Sequence, residues 1–296
     1  MAMNRNAIRC MTYRLLGGKI ANSLFYFRQY HRFPRWNNPT LFNEKIQYLK
    51  CTAFKNDPIY TLCADKYAVR EYLSSKGFDR FLIPLISQYD HPDEIKWGEL
   101  PNRFVLKMNF GNGMNIIVND KTQLDITSTM SELKKWMDVK SELVSGEMQY
   151  AKIPKKIIVE ENIATSDIAP VDYKFHCASG KCIMGFTVSD RQASECRLYG
   201  FGGDLEPIPY EPSHGHFMSV SHPPVEFNKE DVIKMMNLAE TISAPFPYVR
   251  VDLFHVNGNI YFSELTFSEG GGFDRKTEYA DRLLGQSIDL SLYRSI

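Results

Sequence analysis

Four polar side chains near the carboxyl end of the chain have the types and spacing of a metal and phosphate site. Arg250 and Asp252 alternate with apolar residues in one predicted strand, and Glu264 and Thr266 lie on one side of the next. Buried carboxylates are costly unless they are paired or bind a metal ion. Two of them on facing strands, beside an arginine, indicate a Mg²⁺ site that handles phosphate. The alternative is a half-exposed hairpin with surface charges.

The turn between these two strands makes the metal-site hypothesis testable. A two-residue turn at 257–258 would place Asp252 opposite Ser263 and would direct Glu264 to the other face of the sheet. A three-residue loop at 257–259 places Asp252 opposite Glu264 instead. The hypothesis therefore predicts the three-residue loop.

The bulk composition is that of a globular protein with two or three lobes. The chain has 296 residues, of which 44% are hydrophobic and 13% aromatic, enough to bury a large core. A net charge of zero argues against general binding to nucleic acid. The six cysteines are scattered and form no C-x-x-C pair, which favours reduced thiols in the cytoplasm over a disulfide framework or a zinc site.

Basic residues dominate the first fifty positions, which contain nine Lys or Arg and one acid, Glu44. Residues 7–27 combine this charge with interspersed apolar side chains, a pattern that predicts an amphipathic helix on an anionic membrane surface. An ordinary packed helix with a solvated basic face is the alternative. No run of 18 apolar residues and no secretory signal is evident. We therefore expect a cytoplasmic protein, with peripheral contact at the inner face of the membrane.

Strand and helix patterns are mixed without a regular βαβ rhythm, which predicts the α+β class. Residues 1–100 are predicted to be mostly helical. Residues 101–162 are predicted to form a small lobe with a glycine loop, and residues 163–296 a large lobe with the metal site. Within these regions we expect single helices at 64–75, 125–143 and 231–242, strands at 81–86, 104–107, 116–118, 156–161, 173–177 and 182–188, and long loops over 189–227.

Lys107 ends a predicted buried strand, and the glycine loop Gly111-Asn112-Gly113 follows it. A lysine at this position can reach phosphate while backbone N–H groups of the loop cradle it. The order strand, glycine loop, strand differs from a P-loop or Rossmann unit, in which a helix follows the loop. On its own this motif is weak evidence for a nucleotide site.

Three further pairs of polar residues occur along the chain. Asp65-Lys66 opens a predicted helix, where Asp is also a common cap. Glu160-Glu161 closes a buried strand whose end can offer backbone groups to a purine edge. Asp172 and Lys174 lie on one face of the next hairpin. Each pair alone has an ordinary structural explanation.

The order of these motifs resembles that of the ATP-grasp superfamily, in which two α+β lobes hold ATP between them. The closer similarity, over about residues 38–290, is to the TupA-like ATP-grasp family of bacterial polysaccharide biosynthesis. Four segments carry it: 40–46 (TLFNEKI), 64–72 (ADKYAVREY), 106–113 (LKMNFGNG) and 263–267 (SELTF).

The resemblance implies a nucleotide site built from the upstream motifs. Lys66 and Lys107 would contact the ATP phosphates, Asp172 would bind ribose, and Lys174 would add a phosphate contact. The loop that closes over the phosphates would consist of Gly111, Asn112, Gly113 and Asn115. The adenine pocket would be lined by Glu160, Glu161 and Ile163.

The resemblance also implies how the carboxyl-terminal motif acts. Asp252 and Glu264 would hold Mg²⁺, and Arg250 would act with Lys107 and Lys174 in catalysis by stabilising charge on the transferring phosphoryl group. Thr266 would be a weaker metal ligand, because many related ligases have an asparagine carbonyl at this position. Where related ligases bind the substrate carboxylate, this chain has Ser268, Gly270 and Gly271.

By the same resemblance, the activity would be an ATP-dependent carboxylate–amine ligation through an acyl phosphate. The carboxylate would be a uronic acid of a capsule, O-antigen or teichuronopeptide-type polymer, and the amine an amino acid or small amine. A sugar kinase with the same nucleotide site and a non-catalytic nucleotide- or glycan-binding module are the alternatives. A glycosyltransferase has less support, because no DxD motif stands out.

Two weaker candidates lie in the loop-rich region. Arg191 and Arg197 have the charge to bind an acidic sugar, although ordinary surface arginines are the alternative. His214, His216 and His222 have spacing that fits a transition metal, although loop histidines are usually solvated.

Overall fold

The computed structural model describes residues 5–165, 169–191, 196–210 and 217–291. Two members of the histidine cluster, His214 and His216, lie outside these residues, so the transition-metal hypothesis stays a prediction. His222 is described and is exposed.

Helices occupy most of the amino-terminal part and flank the sheets. Within the described ranges the α-helices are α1 (Arg5–Tyr30), α2 (Phe42–Cys51), α3 (Ala53–Asn56), α4 (Pro58–Ala64), α5 (Val69–Ser75), α6 (Ile126–Met137), α7 (Ser141–Ser145), α8 (Lys229–Ser243) and α9 (Glu278–Ser287). A kink interrupts α1 at Gly17, where φ is 72°. No helix among the residues described is both long enough and apolar enough to cross a bilayer.

The strands form two sheets, which confirms the α+β class. The strands are β1 (Leu85–Tyr89), β2 (Phe104–Met108), β3 (Asn115–Val118), β4 (Ile157–Glu161), β5 (Asp172–Ala178), β6 (Lys181–Ser189), β7 (Cys196–Gly202), β8 (Phe217–Ser219), β9 (Val249–Val256) and β10 (Asn259–Thr266). The small sheet has the order β1-β4-β2-β3 and the large sheet β10-β9-β5-β6-β7-β8. Neighbouring strands are antiparallel, except for the parallel pair β7 and β8.

Burial patterns explain which side chains the sheets direct into the cleft between them. In the large sheet, β5 lies between β6 and β9 and all seven of its residues are buried, because α8 and α9 pack against this part of the sheet. In the small sheet, Phe104, Leu106 and Met108 of β2 are buried in the core. The alternation of the strand therefore directs Val105 and Lys107 to the opposite face, where both line a cavity.

Two of the predicted helices are each divided in two. Residues 64–75 contain the end of α4 and all of α5, because the Asp65 carboxylate accepts the backbone N–H groups of Tyr67 (2.8 Å) and Ala68 (3.2 Å) and so stabilises a turn between the two helices. Residues 125–143 contain α6 and the start of α7. Between these, Lys155 Nζ donates to carbonyls near the end of α6 and satisfies groups that a continuing helix would use.

The prediction of long loops over residues 189–227 was wrong in part, since β7 and β8 lie there. The glycines that suggested a loop are needed for close packing within the strand. A Cβ at Gly200 would lie 2.6 Å from the Tyr210 side chain. Glycine in β7 is therefore required because another segment of the same chain packs close to the strand, and it does not indicate a turn.

The hairpin of β9 and β10 corrects the predicted loop but retains the predicted pairing. Asn257 (φ 51°) and Gly258 (φ 77°) form a two-residue turn in which both residues are left-handed, as in type I′. A β-bulge between Phe262 and Glu264 then shifts the register by one residue. Glu264 is consequently the partner of Asp252, even though the three-residue loop was wrong.

Candidate active site

Two cavities meet between the sheets. The first, of about 280 Å³, is bordered by β2 and β3 of the small sheet and by β5 and β10 of the large sheet. The second, of about 340 Å³, extends towards α7 and the glycine-rich turn after β10. Glu264 and the loop residues Gly111 and Asn112 line both. Glu264 therefore stands where the two cavities join.

Lys107 is fixed in the first cavity by an ion pair on the small sheet. Its Nζ lies 2.6 Å from Glu160 Oε2, and Arg70 Nη1 of α5 lies 3.3 Å from the other oxygen of Glu160. Of the three residues predicted to line an adenine pocket, Glu161 and Ile163 border this cavity. The side chain of Glu160 instead positions Lys107.

Lys66 connects the glycine loop to the large sheet. Its Nζ donates to the Gly111 carbonyl at 2.7 Å and lies 3.1 Å from Glu264 Oε2. Gly111 has φ 66°, and a Cβ there would lie 2.6 Å from the Met114 side chain, so both backbone conformation and space require glycine. The remaining predicted loop residues that line the first cavity are Asn112, Gly113 and Asn115.

Asp172 and Lys174 lie side by side on β5 at the first cavity. Lys174 Nζ is 2.7 Å from Asp172 Oδ2, and Arg191 pairs with the same oxygen. Burial acts to raise the pKa of Asp172, but Lys174 and Arg191 outweigh it and lower that pKa. Asp172 Oδ1 is buried and has no hydrogen-bond partner among the described residues. It is a buried acceptor without a donor, on a residue that borders the cavity.

Asp252 is enclosed by two cations. Arg250 donates to both of its oxygens at 2.7 Å, and Lys174 pairs with Oδ2. Asp252 is fully buried, and burial raises its pKa against the opposing effect of Arg250 and Lys174. Lys174 also contacts Asp172. The four side chains of Asp172, Lys174, Arg250 and Asp252 therefore form one charged network across β5 and β9.

Glu264 and Thr266 extend this network to the junction of the cavities. Thr266 Oγ1 accepts from Arg250 Nη2 at 3.2 Å and donates to Glu264 Oε1 at 3.3 Å. Burial acts to raise the pKa of Glu264, but Lys66, Lys174 and Arg250 lower it to about 2. Glu264 is therefore ionised at neutral pH.

Asp252, Glu264 and Thr266 have the hard oxygen atoms that Mg²⁺ prefers, and to bind the ion Asp252 would exchange a contact with Arg250 or Lys174. The described part of the chain contains no group of three or more His, Cys, Asp or Glu arranged to hold a metal ion. With two carboxylates and a hydroxyl from Asp252, Glu264 and Thr266, an ion here would take its other ligands from phosphate and water, as Mg²⁺ commonly does.

Arg250 also faces the second cavity, where it meets an acid that follows β10. Its Nη1 lies 2.6 Å from Glu269 Oε1, and Lys276 pairs with the other oxygen. Burial acts to raise the pKa of Glu269, but Lys276, His176 and Arg250 hold it well below its usual range. Arg250 thus bridges Asp252 and Glu269, and its guanidinium is held on two sides.

Of the residues predicted to bind the substrate, three line a cavity and one lies behind the cavity wall. Ser268 and Gly270 line the second cavity. Gly271 lies behind them: its carbonyl accepts from Lys50 Nζ at 2.7 Å, and a Cβ there would lie 2.8 Å from Ser145. Arg191, which was also predicted to bind substrate, lines the first cavity with the nucleotide residues.

Sequence comparison places these motifs in a family. The sequence profile of the TupA-like ATP-grasp family matches residues 44–289. The chain belongs to the TupA-like ATP-grasp family. All the cavity-lining residues named above lie within this match. The fold of this TupA-like protein is the α+β ATP-grasp fold that the motifs predicted.

The chain is similar to solved structures at low sequence identity. The ATP complex of D-alanine–D-alanine ligase from Bacillus anthracis is 17% identical, with a TM-score of 0.44 over 78% of this chain and 66% of that one. L-amino acid ligase from Bacillus licheniformis is 12% identical, with a TM-score of 0.47 over 83% of this chain and 52% of that one. The TupA-like chain thus spans less than two thirds of the length of these proteins. No curated protein sequence matches it.

The residues of the TupA-like site that were not identified from the sequence include Lys50, Glu269 and Lys276. Glu269 had a signal, because it directly follows Ser268 and precedes three glycines. Lys50 had none, since a lysine in a helix is ordinarily exposed, whereas this one is only 1% exposed. Its role depends on contacts that join positions more than 200 residues apart.

Proposed function

We propose that this TupA-like ATP-grasp protein is an ATP-dependent carboxylate–amine ligase that uses Mg²⁺. The observation that carries the proposal is the position of Glu264 at the junction of two cavities, with Lys66 and Arg250 beside its carboxylate. One cavity can hold a nucleotide and the other a phosphoryl acceptor, so that transfer occurs at the junction.

The first cavity suits ATP in charge and in hydrogen-bonding groups. Lys66, Lys107 and Lys174 line it and offer ammonium groups to phosphate oxygens. The unpartnered Oδ1 of Asp172 can accept a hydrogen bond from a ribose hydroxyl. Backbone groups at Glu161 and Ile163 can bind the adenine edge.

In the proposed reaction a carboxylate oxygen of the substrate attacks the γ-phosphorus, the bond to the bridging oxygen breaks, and ADP leaves. Arg250 stabilises negative charge on the transferring group, and its contacts with Asp252 and Glu269 fix its orientation. Bound Mg²⁺, held by Asp252 and Glu264, would neutralise charge on the phosphate oxygens. The ammonium group of the amine substrate then loses one proton, its nitrogen attacks the acyl carbon, phosphate leaves, and the nitrogen loses a second proton to give the amide.

Membership in the TupA-like family supports a uronic acid of a capsule, O-antigen or other cell-wall polysaccharide as the carboxylate, and an amino acid or small amine as its partner. The acceptor would be presented to the second cavity, which is open to solvent and large enough for a sugar carboxylate.

The test is to incubate the protein with ATP, Mg²⁺, candidate uronic acids and hydroxylamine. The proposal predicts a hydroxamate, because hydroxylamine traps an acyl phosphate. ADP together with a phosphorylated sugar and no hydroxamate would instead identify a sugar kinase. Absence of nucleotide binding would favour a non-catalytic module.

We further propose that α1 holds the protein at the inner face of the membrane. Leu15 is 73% exposed and Ile20 is 55% exposed, whereas Tyr13 and Tyr26 of the same helix are buried. The only acid among the first fifty residues, Glu44, is buried and paired with arginines, so the surrounding surface remains basic. The exposed apolar side chains of α1 are Ile8, Met11, Leu15, Leu16, Ile20, Leu24 and Phe27. Apolar and basic side chains together match an anionic bilayer surface.

A further inference from the structure

The second cavity contains an acid, Glu147, that the proposed phosphoryl transfer does not use. The other two acids that line the cavity are neutralised: Glu264 pairs with Lys66, and Glu269 pairs with Arg250. No Lys, Arg or His nitrogen of the described residues lies within 4.0 Å of the Glu147 carboxylate.

Glu147 is nevertheless held in a fixed orientation. Ser268 Oγ donates to its Oε1 at 2.5 Å, and Ser145 Oγ donates to its Oε2. Gln149 Nε2 in turn donates to Ser268 Oγ at 2.9 Å. The donors run in one direction, from Gln149 through Ser268 to Glu147, and all end on the carboxylate. These hydroxyl groups orient the carboxylate, but they do not supply a cation that pairs with it.

A second acceptor without a donor lies behind Ser268, in the protein interior. Gln149 is fully buried, and its Oε1 has no hydrogen-bond partner among the described residues. A buried amide oxygen without a partner costs free energy. Lys50, whose Nζ is buried, does not supply the missing donor, because its ammonium group is bonded to the Gly271 carbonyl and to Gln47.

We infer that this corner of the second cavity is the subsite of the amine substrate, and that Glu147 binds its primary ammonium group. An ammonium group has a positive charge and three donors, which is what an unpaired carboxylate lacks. A carboxylate placed at Ser268 would instead be repelled by Glu147, and the Ser268 proton is already donated. Ser268 then orients Glu147, and the substrate carboxylate lies nearer Arg250. The inference rests on the proposed ligase function.

The test is to titrate three small probes into the isotope-labelled full chain, with ADP and Mg²⁺ present, and to monitor binding by the chemical shifts of the backbone amides. The three probes are n-propylammonium, n-propanol and propionate, which are matched in size and differ in charge. We expect saturable shifts around Ser268 and Glu147 with n-propylammonium alone. Saturable binding of propionate at this corner, or no saturable binding of n-propylammonium, would overturn the inference.

Variants supply an independent measurement. Glu147→Gln keeps the shape of the side chain and removes its charge, and we expect it to weaken n-propylammonium binding at least tenfold. Glu142→Gln on α7 is the matched control and should bind as the wild type does. Equal affinity in Glu147→Gln and wild type would refute the assignment. If Glu147→Gln does not fold, the comparison of the three probes in the wild-type protein still decides.

The hydroxamate assay separates this inference from the proposed function. Hydroxylamine is mostly neutral at neutral pH and does not need an ammonium subsite, so Glu147→Gln should raise the KM for an amine by a larger factor than the KM for hydroxylamine. Ammonium binding without any hydroxamate would refute the ligase and retain the subsite. An equal loss of hydroxamate and amide formation would contradict the subsite alone.

Discussion

Asp252 and Glu264 are direct partners across β9 and β10, although the turn that joins these strands has only two residues. A regular ladder from that turn would pair Asp252 with Ser263. The bulge at Ser263 adds one residue to β10, so that both Ser263 and Glu264 line the first cavity. The bulge thus directs the second carboxylate of the candidate metal site into the cleft.

Glu264→Gln is expected to lower the Mg²⁺-dependent turnover rate by about a hundredfold or more, because the variant lacks the ionised ligand at the junction of the cavities. ADP formation and the Mg²⁺ dependence of nucleotide binding would be measured together. Asp252→Asn should behave in the same way. Glu278→Gln, on an exposed acid of α9, is the control. An unchanged Mg²⁺ titration in Glu264→Gln would remove the metal assignment.

Lys107→Met is expected to weaken ATP binding about 10- to 100-fold, which is the effect of losing a charged hydrogen bond of about 1.5–3 kcal/mol. The fold should persist, since Arg70 still neutralises Glu160. Calorimetric titration with ATP would measure the affinity. Lys135→Met, at an exposed site on α6, should bind ATP normally. Wild-type affinity in Lys107→Met would rule out the phosphate contact.

Lys50 predicts a distinctive pH dependence of stability. Burial lowers its pKa from 10.5 to about 7 in the folded protein. Between these values the unfolded chain binds more protons, so the free energy of unfolding should rise with pH, by at most about 1.4 kcal/mol per pH unit. Urea unfolding of wild type and Lys50→Met between pH 7 and 9.5 would measure the difference. Parallel pH profiles for the two proteins would contradict the prediction.

The membrane proposal predicts that Leu15→Glu reduces co-sedimentation with vesicles that contain phosphatidylglycerol. The variant lacks an apolar side chain worth roughly 1.5–3 kcal/mol when buried, and adds a charge of the wrong sign. Added salt should weaken binding of the wild type, because it screens the basic residues. Val225→Glu replaces an apolar residue outside α1 that is more exposed than Leu15, and it should bind normally. Equal binding by Leu15→Glu and wild type would exclude α1 as the contact.

Much of the fold was predictable because its signals are local. The alternation of β2, the hairpin of β5 and β6, and the helix α8 all follow from patterns within ten to fifteen residues. Predictions failed where a distant residue decides the outcome. Lys155 Nζ bonds carbonyls at the end of α6, and Gly200 of β7 makes room for Tyr210, and neither effect can be seen in the segment itself.

The sequence by itself determined the family and the α+β class, and it predicted several of the cations and carboxylates that lie at the cleft, because these depend on residue types in a fixed order. Only the tertiary structure decided how those charges are partitioned. It pairs Glu160 with Lys107, joins Arg250 to Glu269, and leaves Glu147 to the hydroxyls of Ser145 and Ser268. The register of β10 was decided in the same way, since Phe262 packs into the core beside Leu82 while Glu264 faces the cleft. The physical reason is common to all of these: ion pairs and burial depend on distances between segments that are far apart in the chain.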